Sequence, residues 1–194
     1  ISMAKFEGQI AEAVRKELRD PRYASAVRHD VGFGGRVFFV LKAAATNYTQ
    51  FVEDHPDYRS GDGVVTIAAV YNTIDAANNA CTASQGDVIY VMPYHTETVT
   101  AAIALDLIGV SVIGLKSGNA RPVVTGNGTI DAINVSAAGV TVQGLEFAAP
   151  GTTAQTADIN IAAARCSVID TLHIGSQTSK YKVDMITITS AGDY

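Results

Sequence analysis

The sequence predicts a mainly β protein, a right-handed parallel β-helix (solenoid), and three observations lead there. First, Ile133-Asn-Val-Ser-Ala-Ala-Gly139, Ile159-Asn-Ile-Ala-Ala-Ala-Arg165 and Ile186-Thr-Ile-Thr-Ser-Ala-Gly192 are near-copies whose first isoleucines lie 26 and then 27 residues apart. A fainter copy, Ile103-Ala-Leu-Asp-Leu-Ile-Gly109, precedes them by 30 residues. Second, the three residues directly after a copy also repeat: Val110-Ser-Val112, Val140-Thr-Val142 and Cys166-Ser-Val168. Third, apolar and small polar residues alternate within each copy, which is the period of a strand rather than a helix. A period in the twenties built from strands is the signature of a coil stacked on itself.

Each element of the coil can be derived from the pattern. Successive strand side chains point to opposite faces, so Ile133, Val135, Ile159, Ile161, Ile186 and Ile188 form an inward ladder, and Val112, Val142 and Val168 a second one. Asn134, Asn160 and Thr187 then face outward. Gly109, Gly139 and Gly192 mark a corner suited to positive φ, with Arg165 in that place in one coil. Leu115, Leu145 and Leu172 are expected to continue the apolar ladder, and Pro122-Val-Val124 and Val88-Ile-Tyr-Val91 to supply a third strand per coil. Coil length varies through loops at 148–156 and 175–182, and such excursions tend to gather on one face.

Charge divides the chain. Residues 1–60 hold 17 charged side chains and residues 61–194 hold 16, although the first stretch is less than half as long. Met3, Phe6, Ile10, Val14 and Leu18 fall on one stripe of a predicted amphipathic helix that stops at Asp20-Pro21. This stripe is the expected anchor or oligomer contact. Ile1-Ser2 before Met3 reads as an appended scar. Val37-Phe-Phe-Val-Leu41 is a short apolar strand, and Glu53, Asp54, His55 and Asp57 read as a solvated loop without the spacing of a calcium site. Ile67, Val70, Tyr71, Ile74, Ala77 and Cys81 keep a period near 3.6 and predict a second helix capping the first coil. The division is therefore 1–60, a docking and oligomerisation segment with helix and strand; 61–86, a capping helix; and 87–194, a β-helix that is unfinished at its end.

Composition removes several function classes. A net charge of −5 without a basic stripe argues against nucleic acid as a partner. No apolar run approaches the roughly 20 residues that span a bilayer, so no membrane is expected. The amino terminus lacks the continuous apolar region of a signal peptide. Cys81 and Cys166 form no metal-ligand spacing and read as two thiols.

Tyr71-Asn-Thr-Ile-Asp-Ala-Ala-Asn-Asn-Ala80, then Gly86-Asp-Val-Ile-Tyr-Val-Met-Pro-Tyr-His-Thr-Glu-Thr-Val99, resembles the capped entry of pectate-lyase-like right-handed β-helices. That family places Gly-Asp-x-Ile-x-Val-x-Pro-Gly-x-Tyr after its helix; here Tyr94 stands at the glycine. With Gly35-Arg-Val-Phe-Phe-Val40 upstream, the chain is similar to virion proteins of tailed bacteriophages and prophages over roughly residues 35–194. The resemblance implies a virion location, other virion proteins as partners, and a homo-oligomer with a trimer favoured.

Candidate chemistry is sparse. Asp131, Asp158, Asp170 and Asp184, with Glu146, Arg121 and Arg165, are the charged groups that stacked coils could gather, and outer-face solubility is the simpler account of them. Asp158 and Asp184 have the spacing to stack on neighbouring coils. His95 and His173 read as structural. No catalytic, cofactor-binding or metal residues are assigned, and no cofactor is expected. The expectation is a non-enzymatic structural component, a decoration, fibre or spike. The alternatives are a fragment of a tailspike-like polysaccharide lyase or hydrolase, or a glycan-binding β-helix using Tyr181 and its loop.

Overall fold

The computed structural model describes residues 35–41, 68–115, 118–148, 155–175 and 182–189. Three parallel sheets wind into a β-solenoid. The first coil consists of β3 (Val88–Val91), β4 (Thr96–Val99) and β5 (Ile103–Leu105). The second has β6 (Ser111–Gly114), β7 (Val123–Gly126) and β8 (Asp131–Val135). The third has β9 (Thr141–Gln143), β10 (Glu146–Phe147) and β11 (Gln155–Ile161), and the fourth β12 (Ser167–Ile169), β13 (Leu172–His173) and β14 (Lys182–Ile188). Each coil gives one strand to each sheet. The first sheet continues past the first coil through β1 (Val37–Val40) and β2 (Ala68–Tyr71), in the order β12-β9-β6-β3-β1-β2.

The register is one of like on like. Ile103, Ile133, Ile159 and Ile186 are successive partners in the third sheet, and so are Leu105, Val135, Ile161 and Ile188. In the first sheet Phe38, Ile89, Val112, Val142 and Val168 form the equivalent column. Ile103, Ile133 and Ile159 are fully buried, whereas Ile186 in the fourth coil is 41% exposed. Burying each such side chain stabilises by about 1.5–3 kcal/mol, so these columns dominate the energetics. Val37, Phe39, Leu41, Val88, Tyr90 and Met92 form a second buried cluster on the other side of the first sheet. Both faces of β1 and β3 are thus buried, which is why they read as unbroken apolar runs instead of alternating ones.

One α-helix occurs among the described residues, α1 (Ile74–Ala80). Thr73 caps it, its hydroxyl accepting from the Ala76 N–H at 3.2 Å. α1 covers the edge of the third sheet and meets the second sheet through one side chain. Asn78 donates to the Ala104 carbonyl at 2.9 Å and to Asp106 at 3.1 Å, while Asp75 accepts from the Ala104 N–H. Glu97, on the edge strand of the second sheet, accepts the Ile74 N–H at 3.1 Å. These bonds blunt edges that would otherwise template pairing with another chain.

Arg36 and Asp87 latch β1 to the first coil. The buried Asp87 carboxylate accepts the Arg36 and Thr82 main-chain N–H groups at 2.6 and 2.7 Å, and the Arg36 guanidinium at 3.0 Å. Cys81 lies beside this latch. Burial pushes its thiol up to about 12, with the Asp87 charge adding and Arg36 opposing.

Three sequence expectations change. Val70 and Tyr71 do not belong to the helix: residues 68–71 are β2, because the Thr73 cap sets the start of α1 and Val70 and Tyr71 favour a strand. Val88–Val91 belongs to the first sheet, in register with Ser111–Gly114. The corresponding strand of the second sheet is Thr96–Val99, whose polar residues conceal it. Leu115, Leu145 and Leu172 do not form one ladder: Leu145 is in the interior, Leu115 packs on the outer cluster and Leu172 is exposed beside Glu146. The predicted helix at 3–18, with Met3, Phe6, Ile10, Val14 and Leu18, lies outside the described residues, as do the 53–57 cluster, Ile67 and Tyr181.

Because Val88 pairs with Ser111, the corner column includes Gly86 with Gly109, Gly139 and Arg165. Their φ values are +74, +76, +71 and +57°, so Arg165 holds a left-handed conformation that its neighbours satisfy with glycine. Arg165→Gly should therefore raise unfolding free energy by about 1 kcal/mol and Gly139→Ala lower it by a similar amount, measured by chemical denaturation. Cys81 gives a pH test. Its folded pKa lies above the unfolded value of 9.0, so its contribution is intact below that value and is lost as pH rises toward about 12. The melting temperature should fall more steeply between about pH 8 and pH 11 in the wild type than in Cys81→Ala.

Candidate functional site

Polar groups are scarce inside the coil, so the few that are buried define the candidate site. The second-sheet column runs Glu97, Val124, Phe147, His173, with apolar side chains in the middle and an ionisable group at each end. At the first end Glu97 meets the buried His95 at 3.3 Å beneath the start of α1. At the other end His173 stacks flat on Phe147, ring centroids 5.2 Å apart and planes 12° from parallel.

His173 joins a connected set. Its Nδ1 lies 2.8 Å from Asp158 Oδ2 and its Nε2 lies 2.9 Å from Thr171 Oγ1. A carboxylate only accepts hydrogen bonds, so Nδ1 carries a proton, and in the neutral ring the Nε2 lone pair then faces the hydroxyl. The Asp158 side chain is 1% exposed and that of His173 11%. Gln155 Nε2 donates to Asp158 Oδ1 at 3.1 Å and to the Ala157 carbonyl at 2.6 Å, which fixes the amide orientation. Gly126 makes room for Gln155: a Cβ there would fall 2.5 Å from its Cδ. A burial cost of several kcal/mol for an isolated carboxylate is offset by these bonds.

Beside this set, Arg121 from the second coil reaches Asp170 in the fourth. One guanidinium nitrogen donates to the Asp170 carbonyl and another to its carboxylate at 3.1 Å. Asp170 directly precedes Thr171 and has φ of +48°.

The charged candidates scatter. Asp158 is a core residue, not an outer-face acid, and it does not stack on Asp184: Ala157 pairs with both Asp184 and Asp131. Glu146 pairs with Val123 and Leu172 on the short strands of the second sheet, and Arg165 occupies the corner. Tyr94 is left-handed, with φ of +62° and 68% exposure. The outward Asn134 and Asn160 pair in register and bond at 3.4 Å, and Thr189 adds a bond to Asn160 at 3.1 Å. Among the described residues no group of three His, Cys, Asp or Glu could hold a metal ion.

Thr171 was not singled out by the sequence, though Thr-Leu-His on a strand puts its first and third residues on one face. Asp158, 15 residues before His173, joins them only through the coil. No known family model, curated protein or solved structure matches the chain.

Gly126→Ala should displace Gln155 and leave Asp158 short of a donor, lowering unfolding free energy by about 2 kcal/mol. Restoring space with Gln155→Ala in the same chain should recover less than half of that loss, because the donor stays absent; denaturant titration of the single and double variants measures both.

Proposed function

We propose that this chain is a structural β-solenoid of a tailed bacteriophage or prophage virion, of the pectate-lyase-like right-handed kind. Residues 1–60 dock it to the particle or to sister subunits, and the coils project as decoration, fibre or spike. The observation that carries this reading is the in-register apolar interior running through four coils, which makes a stiff rod from short repeats. Right-handed crossovers are the near-universal rule between parallel strands of one sheet, and they favour that hand for this coil. The Gly86-Asp87 entry with Asp87 buried as a latch, and Tyr94 in a left-handed conformation, support the family resemblance.

The outward polar residues support a scaffold role as well, since Asn134, Asn160 and Thr189 bond to one another along the stack. Threefold association of identical chains is the assembly that the resemblance to phage fibres and spikes implies, a ring closed by heterologous contacts.

Deleting residues 3–20 should abolish oligomer or particle incorporation while the melting transition of the solenoid persists. Sedimentation and co-purification with particles measure this, and unchanged assembly would refute the docking role. Depolymerisation of a bacterial polysaccharide by the intact protein would instead favour a tailspike-like lyase or hydrolase.

A further inference from the structure

We propose that Thr171, His173 and Asp158 form an acyl-transfer site that hydrolyses small acyl esters, acetyl esters foremost, with Thr171 as the nucleophile. The scaffold role needs no such site, so the activity stands independently of the virion reading.

Three observations converge on it. The hydroxyl, imidazole and carboxylate are linked in order at 2.9 and 2.8 Å, within the range for proton transfer between nucleophile, base and orienting group. The ring is locked from two sides, by its stack on Phe147 and by an Asp158 that Gln155 holds in turn. The third observation is strain. Gln143 pairs with Ile169, so Asp170 is the counterpart of Gly144, which has φ of +70°. The fourth coil puts a left-handed aspartate where the third has glycine, directly before Thr171. Arg121 clamps that residue by its carbonyl and its carboxylate. The clamp fixes the backbone that carries the hydroxyl and sets a cation one peptide away from it.

The reaction balances with water alone. Thr171 Oγ1 attacks the ester carbonyl carbon while its proton passes to His173 Nε2. Collapse of the tetrahedral adduct breaks the bond to the leaving alcohol, which takes that proton from Nε2. Water then attacks the threonyl ester, gives a proton to Nε2, and the acid departs as Thr171 Oγ1 recovers the proton. Asp158 is a positioning residue that holds the Nδ1–H tautomer throughout. The methyl group on the threonine Cβ and the half-buried setting of Thr171 confine the acyl group to small ones.

The test is p-nitrophenyl acetate hydrolysis by the full chain, against buffer and against free imidazole at equal concentration. The wild type should exceed both by at least about tenfold, and Thr171→Ala should fall back to the imidazole level. Thr171→Ser should retain or raise the rate, and Asp158→Asn should lower kcat about tenfold or more with KM unchanged. Acid-quenched protein should carry one acetyl group on the peptide containing Thr171. Circular dichroism melting of each variant separates loss of chemistry from loss of fold, and Thr171→Ala removes only a half-buried hydroxyl and methyl. A wild type no faster than imidazole, an undiminished Thr171→Ala rate, or acetylation confined to lysine peptides would each overturn the proposal.

Discussion

Parallel pairing of like side chains around a closed coil is the constraint on which the rest depends. A parallel strand cannot bury its inward residue unless the next coil offers a surface that fits it at the same height. Ile103, Ile133, Ile159 and Ile186 meet that condition, and so do Phe38, Ile89, Val112, Val142 and Val168. A slip of one residue in any coil would turn the whole set outward. The corner column of Gly86, Gly109, Gly139 and Arg165 enforces the same register from outside, because every coil must turn at the same height. Arg165 shows that the requirement is conformational: the left-handed turn is kept at a cost when glycine is absent.

A stack of this kind has an end-group problem, and the first coil shows a two-part solution. One sheet is simply extended, by β1 and β2. The third is covered by a seven-residue helix, whose Asp75 and Asn78 satisfy main-chain groups of β5 and whose first N–H is taken by Glu97 of β4. The Asp87 carboxylate fastens the two solutions together by accepting from both Arg36 and Thr82. A few short polar contacts thus do what additional coils would otherwise have to do. The same acid raises the Cys81 pKa further, so the thiol next to the latch is held neutral.

Polar groups inside the apolar stack sit where the stack has a polar answer. Glu97 meets His95 and the start of α1; His173 meets Asp158 and Thr171. Between them Val124 and Phe147 are fully buried. Gly126 gives up its side-chain volume so that Gln155 can reach Asp158, which ties the buried carboxylate to packing in the preceding coil. The site and the scaffold therefore share residues, and the site's geometry is inherited from the coil spacing.

The sequence makes legible the repeat, the parallel solenoid and the inward character of its isoleucines and valines, because these depend on a local period of two recurring at a near-constant interval. It also marked the turn at Gly109 and Gly139, since positive φ is written into residue type. It misjudged 68–71 because so short an apolar run satisfies both the helical and the strand period, and only the Thr73 cap decides where the helix begins. It misplaced Val88–Val91 because which sheet a strand joins depends on how the chain closes around the coil, not on the strand's own composition. Tertiary structure alone decided that Asp158 is a core residue, that it faces His173 across a coil, and that Thr171 completes the set. Nothing local encodes those meetings: a carboxylate 15 residues from an imidazole becomes its neighbour only when the chain has turned through β12 and come back to the second sheet.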